Sequence, residues 1–600
     1  MLYNFSMFIR TKTTANSPRK SVQVVQNYRV GDKVKQKIVR YLGIALNDRE
    51  EAELRRMGEV FIKEYEESLQ PALNFEKSLQ GESFSGTIVE HAEQELPEQY
   101  LVNLPDCRNK ETILEGFSDV FKKLFEEYGL TRIFGTDKSG INKTNTLLAT
   151  VVGRLARPSS KLSTSAWLKQ NVGISVPEDR IYRMMDNLHN RISKVQEVVS
   201  TKTMLLFGNK ITVMLYDVST LYFESFVEDE LRKSGFSKDN KFKETQIVLG
   251  LATTAEGLPL WYEVFDGKTC EGKTFIETLE KFSKLADPSE IVVVADRGMF
   301  SKINLEELES KGFKYVIGAK LKNMRVSQKD EILKTDSYKE INDSLKTRIF
   351  EDFGKSSPTE KTGKTLVVAW SAKRASKDSS DRQKLIDRAQ KLIGKTGKIK
   401  ADKLFTNYGT KKYLTKVGKS PAEYQINQDK IEKEAKWDGI FGVITNIKNI
   451  QNAALAETKS SEELIDAATI LDYYKSLWRI EEAFRLSKHD LEFRPVYHYK
   501  KERIESHIAI CYMSYALARL LEYKLKVQQK GTVLSMAKIR EALLDVQSTI
   551  IFDTRTSKYY RMPKDISPEA KKIYTTMGVK RNLVPTQILS LPLLKQKFFF

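Results

Sequence analysis

Cysteine is scarce: Cys107, Cys270 and Cys511 are the only three in 600 residues, far apart and without a CxxC partner. That excludes a disulfide scaffold, argues against structural zinc and favours a reducing cytoplasm. Long apolar runs are missing too. None reaches the roughly 18 residues of a membrane span. The N-terminal MLYNFSMFIRTK turns basic at Arg10 and Lys12 too early for a signal peptide, so no membrane partner is expected. Histidine numbers five. His489, His498 and His507 are evenly spaced, but with no HExxH arrangement and no neighbouring cysteine they read as ordinary helix and loop residues. No internal repeat is visible, which removes solenoids and propellers.

What is present is a globular composition, 40% hydrophobic and 30% charged, enough for three or four domains. Ninety-nine Lys and Arg against 79 Asp and Glu leave +20, spread along the chain, which points to a polyanionic partner. Residues 22–30 and 33–41 alternate in character around Gly31-Asp32 and read as a β-hairpin in a basic module, 1–45. It is either a solvated face or a DNA contact. A helical, DNA-binding region follows at 46–206, with helices expected over 48–69, 111–128, 143–156 and 178–206 and a Gly/Ser/Glu-rich linker around 80–97. An α/β core occupies 207–320 and resumes at 438–495. A Lys/Arg-rich inserted domain with at least one strand (365–370) and one helix (381–393) fills 321–437, and 496–600 reads as helical, with helices at 500–525 and 536–548.

The core reads β-β-β-α-β-α-β. ITVMLYD (211–217) places Ile211, Val213 and Leu215 on one strand face and Asp217 next on it; a hairpin covers 247–254 and 258–265; IVVVAD (291–296) ends at Asp296; a fifth strand covers 313–320. Both aspartates are expected at strand ends, where α/β folds place chemistry. On a continuous helix over 471–488, Tyr474, Glu481 and Lys488 share a stripe, with Leu477, Trp478 and Phe484 near Glu481. A carboxylate on such a packing face needs a partner or a metal. It either pairs with Lys488 or Arg485, or completes with Asp217 and Asp296 a hard-oxygen site for Mg²⁺ or Mn²⁺, of the kind that supports phosphodiester displacement.

This strand order and the motifs Asp217-Val-Ser-Thr220, Asp296-Arg-Gly298 and Tyr474-x6-Glu481-x6-Lys488 resemble the DDE transposases of bacterial insertion sequences. Within them the sequence is most similar to the branch with a Tyr-Arg-Glu-Lys signature. The resemblance spans about 140–525. It implies an RNase H-like mixed sheet flanked by helices, with a β-containing insertion and helical N- and C-terminal regions. It implies a transposase that binds terminal inverted repeats, cuts double-stranded DNA by two-metal hydrolysis and joins the 3′-hydroxyl to target DNA. Asp217, Asp296 and Glu481 would be metal ligands, and Tyr474 and Lys488 DNA contacts. The enzyme would act as a homodimer at the nucleoid in the bacterial cytoplasm. One position departs: the signature arginine is Leu477 here, its role lost or passed to Arg479 or Arg485, of which Arg485 is preferred. Arg297 is expected to contact phosphate or Asp296. The segment Arg494-Pro495-Val496-Tyr497-His498 with Arg503 is also similar to that group.

Two other readings compete. Residues 267–274, GKTCEGKT, satisfy the phosphate-binding-loop pattern of an ATPase. Against it, the preceding strand contains Pro259 and is the return arm of a hairpin. Alternatively, the chain is a sequence-specific DNA-binding protein, such as a repressor, with the fold kept as a scaffold.

Overall fold

A computed structural model describes residues 7–13, 20–30, 33–45, scattered positions within 48–62, and 102–588 apart from 209–212, 224–226, 236–243, 270, 300, 355–361, 394–407, 418–422, 449, 452–464, 494–495 and 529–533. Most of the helix expected over 48–69, the linker at 80–97, Ile211, Arg494 and Pro495 lie outside the described residues. The chain divides into two units, Met1–Leu101 and Val102–Phe600.

The first unit holds β1 (Met7–Thr13), β2 (Lys20–Val30) and β3 (Lys33–Ala45) in an antiparallel sheet ordered β1-β2-β3. Val22, Val24 and Val25 of the central strand are buried. The Arg10 guanidinium donates to Gln23 and Gln36, and Lys20 pairs with Asp48 and Glu51. The β2–β3 pair is the expected hairpin, and β1 is an addition.

The second unit opens with β4 (Cys107–Leu114), where a helix was expected from 111. The helix, α1 (Gly116–Glu127), begins only once β4 ends. Then come α2 (Lys138–Ala156), α3 (Lys161–Trp167), α4 (Glu178–His189) and α5 (Ile192–Leu206). The core follows as β5 (Val213–Tyr222), β6 (Gln246–Thr254), β7 (Pro259–Asp266), α6 (Glu271–Phe282), β8 (Val292–Ala295), α7 (Lys302–Ser310) and β9 (Lys314–Gly318), the order read from the sequence.

Next are β10 (Lys339–Asn342), β11 (Leu345–Phe350), β12 (Thr365–Ser371), α8 (Ala372–Ile393), the hairpin β13 (Leu414–Val417) and β14 (Glu423–Ile426), and β15 (Ile440–Thr445). One nine-stranded sheet runs β10-β11-β12-β15-β9-β8-β5-β6-β7. Its middle strands β9, β8 and β5 are parallel and the rest antiparallel. Residues 321–437 therefore extend the core sheet by three strands.

After the short strands β16 (Ile450–Gln451) and β17 (Ile465–Asp466) come α9 (Ala467–Lys475), α10 (Trp478–Arg485) and α11 (Lys501–Gln528). From Ile504 to Leu521, α11 is buried almost all round, as an apolar helix at the centre of a bundle must be. Then α12 (Met536–Leu544), β18 (Gln547–Asp553), β19 (Lys558–Pro563), α13 (Pro568–Met577) and β20 (Thr586–Ile588) complete the unit. A second sheet, β20-β19-β18-β4, joins the two ends of this unit. Region 496–600, read as helical, thus carries three strands as well. Among the described residues no helix is long and apolar enough to cross a membrane.

Candidate active site

Side chains alternate across β5 as strand pleating requires. Val213 and Leu215 enter the apolar cluster on one face, Met214 and Tyr216 the cluster on the other. Asp217 takes the next place on the first face, and Asp296 follows Val292 and Val294 in the same way. Parallel register pairs Tyr216 with Ala295, so the two aspartates lie on neighbouring strand positions, about 4.8 Å apart in backbone spacing. Asp217 is not at a strand end, as was expected. β5 continues to Tyr222 along β6, with Asp217 opposite Leu251, and only its pairing with β8 stops there. Asp217 is half-buried and Asp296 exposed.

The continuous helix expected over 471–488 is two. Between α9 and α10, Leu477 N–H donates to Tyr474 O at 3.2 Å and Ile480 N–H to Leu477 O at 3.1 Å, the i to i+3 pattern of a tightened turn. Residues 486–490 then widen into a π turn. Glu481 is also not on a packing face. Ile480, Ala483 and Phe484 turn inward, Glu481 is exposed, and Trp478 is 54% exposed. The desolvation cost that singled it out from sequence does not act on it.

What Glu481 does is line a cavity of about 670 Å³ together with Asp217, Asp296 and Tyr474. The cavity's other wall comes from β12 and α8: Ser371, Lys373, Arg374, Lys377 and Asp378. An adjoining cavity of about 810 Å³ shares Asp296, Arg374, Asp378, Phe441 and Tyr474 and adds Arg297, Lys320, Lys322 and Trp437. The cations of α8 escaped the sequence reading. Their spacing marks a shared helix face, but no local signal says that β12 pairs with β15 and so carries the helix beside the acids.

The Tyr474 hydroxyl donates to Asp296 Oδ1 at 3.2 Å. Burial first, and the Asp296 charge second, hold its phenol well above its ordinary value, so it stays a donor. Gly318, beside Asp296 in the sheet, makes room: a Cβ there would strike the Tyr474 hydroxyl. Arg297 is exposed in the adjoining cavity. Arg485 pairs with Asp490 at 3.6 Å, Lys488 lies over the Phe484 ring at 5.8 Å, and neither lines these two cavities.

Two guanidiniums, the buried Arg154 and the half-buried Arg540, secure the chain leaving α10. Arg154 donates to the carbonyls of Leu491 (3.3 Å) and Glu492 (3.1 Å), and Arg540 to that of Asp490 (2.5 Å). Glu492 is held in a left-handed conformation, φ 45°. His507 is buried between Lys161 Nζ (3.0 Å) and Phe493 O (3.3 Å). Burial, then the Lys161 charge, pushes His498 down to about 3, so the imidazole is neutral. The His489 side chain lies outside the described residues. Arg503 holds Asp186 with two bonds, 2.7 and 3.0 Å.

Among the described residues, the phosphate-loop pattern at 267–274 spends its first donors within the protein. Its strand β7 is an antiparallel edge strand. Gly267 N–H donates to Leu231 O, Lys268 N–H to the Asp266 carboxylate and Thr269 N–H to Asp266 O, so these donors serve the protein itself. Thr274 is fully buried and accepts from Tyr216 at 3.0 Å. Those three donors and Thr274 are therefore not turned to a nucleotide, and Lys273 is exposed on α6.

Asp217, Asp296 and Glu481, on a cavity that Asp378 also lines and that holds no sulfur or imidazole, make a donor set that fits a hard divalent cation. Among the described residues no three His, Cys, Asp or Glu are drawn together closely enough to hold a metal ion, so the acids line the cavity without forming a closed ligand set.

Strand-borne aspartates and a helix-borne glutamate around one cavity of a mixed α/β sheet accord with a family-level match. The transposase DDE domain matches residues 208–517, more than half of the chain, and the chain belongs to the DDE transposases, which makes it an enzyme. More particularly, residues 9–67 match the N-terminal domain of the IS1634 family of transposases, those of an insertion sequence. Among curated proteins nothing matches. Similar solved structures include a piggyBac transposase synaptic complex with hairpin DNA (11% identity, 72% of this chain and 77% of that one, TM-score 0.34). Another is a pre-cleavage Mos1 transpososome (9% identity, 26% and 54%, TM-score 0.14).

Proposed function

We propose that this transposase binds the terminal inverted repeats of its element as a homodimer, cleaves double-stranded DNA there, and joins the freed 3′-hydroxyl to target DNA. The observation that supports it is the shared cavity of Asp217, Asp296 and Glu481. These three would hold Mg²⁺, with Mn²⁺ able to substitute. The ions supply Lewis acidity for the attacking and leaving oxygens of phosphodiester displacement. The residues' own tasks follow from their settings. The sheet fixes two carboxylates side by side, and α10 brings the third to the same cavity. The Tyr474 hydroxyl donates to Asp296 Oδ1, which orients that carboxylate and leaves its second oxygen for a ligand. Arg297, at the mouth of the adjoining cavity, is placed for phosphate. Lys488 retains the part of a DNA contact beyond the cavity rim, as the Tyr-Arg-Glu-Lys branch implies.

The test uses a duplex ending in the inverted repeat that flanks the gene. Asp217→Asn, Asp296→Asn and Glu481→Gln should each lower Mg²⁺-dependent cutting about 1000-fold while leaving repeat binding largely intact. Cutting at the wild-type rate by any of them overturns the assignment of that acid. Stable repeat binding with no nicking by the unaltered protein, in Mg²⁺ or Mn²⁺, would instead mark a DNA-binding protein.

A further inference from the structure

Leu477 stands where the related signature has its arginine, and it packs against the apolar cluster while lining the acid cavity. The neighbouring cations of its own segment are already engaged, although Lys475 also lines this cavity. Lys475 pairs with Asp472 at 3.0 Å, Arg479 lies over the Trp478 ring at 4.9 Å, and Arg485 pairs with Asp490. The opposite wall is different. Lys373, Arg374 and Lys377, at i, i+1 and i+4 of α8, share one helix face and all line the cavity of the three acids.

We propose that Lys373, Arg374 and Lys377 form the phosphate-binding wall of the active site and supply the positive charge that Leu477 does not. This rests on the proposed cleavage at the acid cavity and names the groups that receive its substrate.

Arg374 is the anchor, since it borders both cavities. Its guanidinium lies over the Phe441 ring at 5.0 Å, with Nε 3.7 Å from Asp378, whose carboxylate accepts from Gly439 N–H at 3.1 Å. Stacking and the ion pair hold the planar fork in place, while its remaining donors suit two oxygens of one phosphate. Lys373 and Lys377 are exposed, and among the described residues neither has an ion-pair partner. One wall thus carries Asp217, Asp296 and Glu481, suited to cations, and the facing wall carries, beside the Arg374-paired Asp378, cations suited to non-bridging phosphate oxygens. A DNA strand between them is attracted on the side where charge builds up during displacement.

The full-length protein is assayed for cutting and binding of the flanking-repeat duplex in Mg²⁺. Arg374→Ala should slow cutting about 100-fold. The Lys373→Ala/Lys377→Ala pair should slow it about 10-fold and flatten the salt dependence of binding by about one per lost phosphate contact. Lys391→Ala, at the far end of α8, should cut normally. The decisive arm is Leu477→Arg: added to Arg374→Ala, it should recover cutting at least about 10-fold, and added to the unaltered protein it should change little. Unchanged cutting by the three-residue alanine variant while Asp217→Asn is dead overturns the inference alone, as does a loss that Leu477→Arg fails to repair. Normal cutting by Asp217→Asn overturns the reading beneath it.

Discussion

At the rim of the nine-stranded sheet Asp296 is exposed and Glu481 faces an open cavity, whereas beside the four-stranded sheet Glu115 is fully buried. There it accepts from Arg561 through both oxygens at 2.7 Å and from Ser548 at 2.8 Å, with Arg581 at 3.3 Å. One turn along, Asp119 accepts from Tyr574 at 2.6 Å. The second set of acids is enclosed by dedicated donors from the C-terminal strands and helix, and its work is to bind the two ends of the unit together. The first set faces cations across a cavity wide enough for a ligand. The same side-chain chemistry is thus set either in contact with its counter-charge or apart from it across a cavity.

This contrast can be broken most forcefully at Glu115. Glu115→Ala leaves two guanidiniums buried without their counter-charge and should cost about 3–5 kcal/mol in denaturant unfolding. Glu481→Gln, at an exposed site, should cost less than about 0.5 kcal/mol. A reversed order would erase the distinction.

A smaller effect is expected at Asp119, whose carboxyl burial pushes up to about 6 from 3.8 despite the Tyr574 hydrogen bond; Glu115 raises it and Arg581 and Arg561 lower it. Between those two values the folded state holds a proton that the unfolded chain has lost. This group's contribution to stability is therefore full below about pH 4 and falls as pH rises to 6. Asp119→Asn should remove that slope and gain on the order of 1–3 kcal/mol at neutral pH, read from unfolding midpoints across the range. An unchanged slope would show that the proton is held elsewhere.

The finest test concerns the active-site sheet. Gly318→Ala should displace the Tyr474 hydroxyl and slow cutting about 10-fold, near 1.4 kcal/mol. Tyr474→Phe should do the same, and the double variant should be no worse than either. Additive losses would mean that Gly318 serves some purpose other than the Tyr474–Asp296 bond.

The nine-stranded sheet could be read from sequence in its middle because β5 to β9 follow one another as short, largely buried apolar runs. Asp217 and Asp296 announce themselves as breaks in apolar faces. Glu481 was found through a helix wheel whose phase the tight turn at Ser476 and Leu477 resets, so its surroundings were misjudged. The four-stranded sheet left no trace: CRNKETIL (107–114) buries only Ile113, and its partner strand lies near the other end of the unit. Arg374 was equally invisible, since the partner that gives it a role is set by strand pairing. GKTCEGKT shows the opposite failure, a pattern intact in sequence whose backbone donors the fold uses up.

The pairing of β4 with β18 also sets a schedule for synthesis. All three acids have been synthesised by residue 481, yet β4 must wait for residues 547–553, and the guanidinium holding the Asp490 carbonyl arrives only with residue 540. A chain interrupted after α11 would carry every acid with the glutamate's anchorage incomplete and a strand edge exposed. The surroundings of the three acids are thus completed only by the last part of the unit to be made.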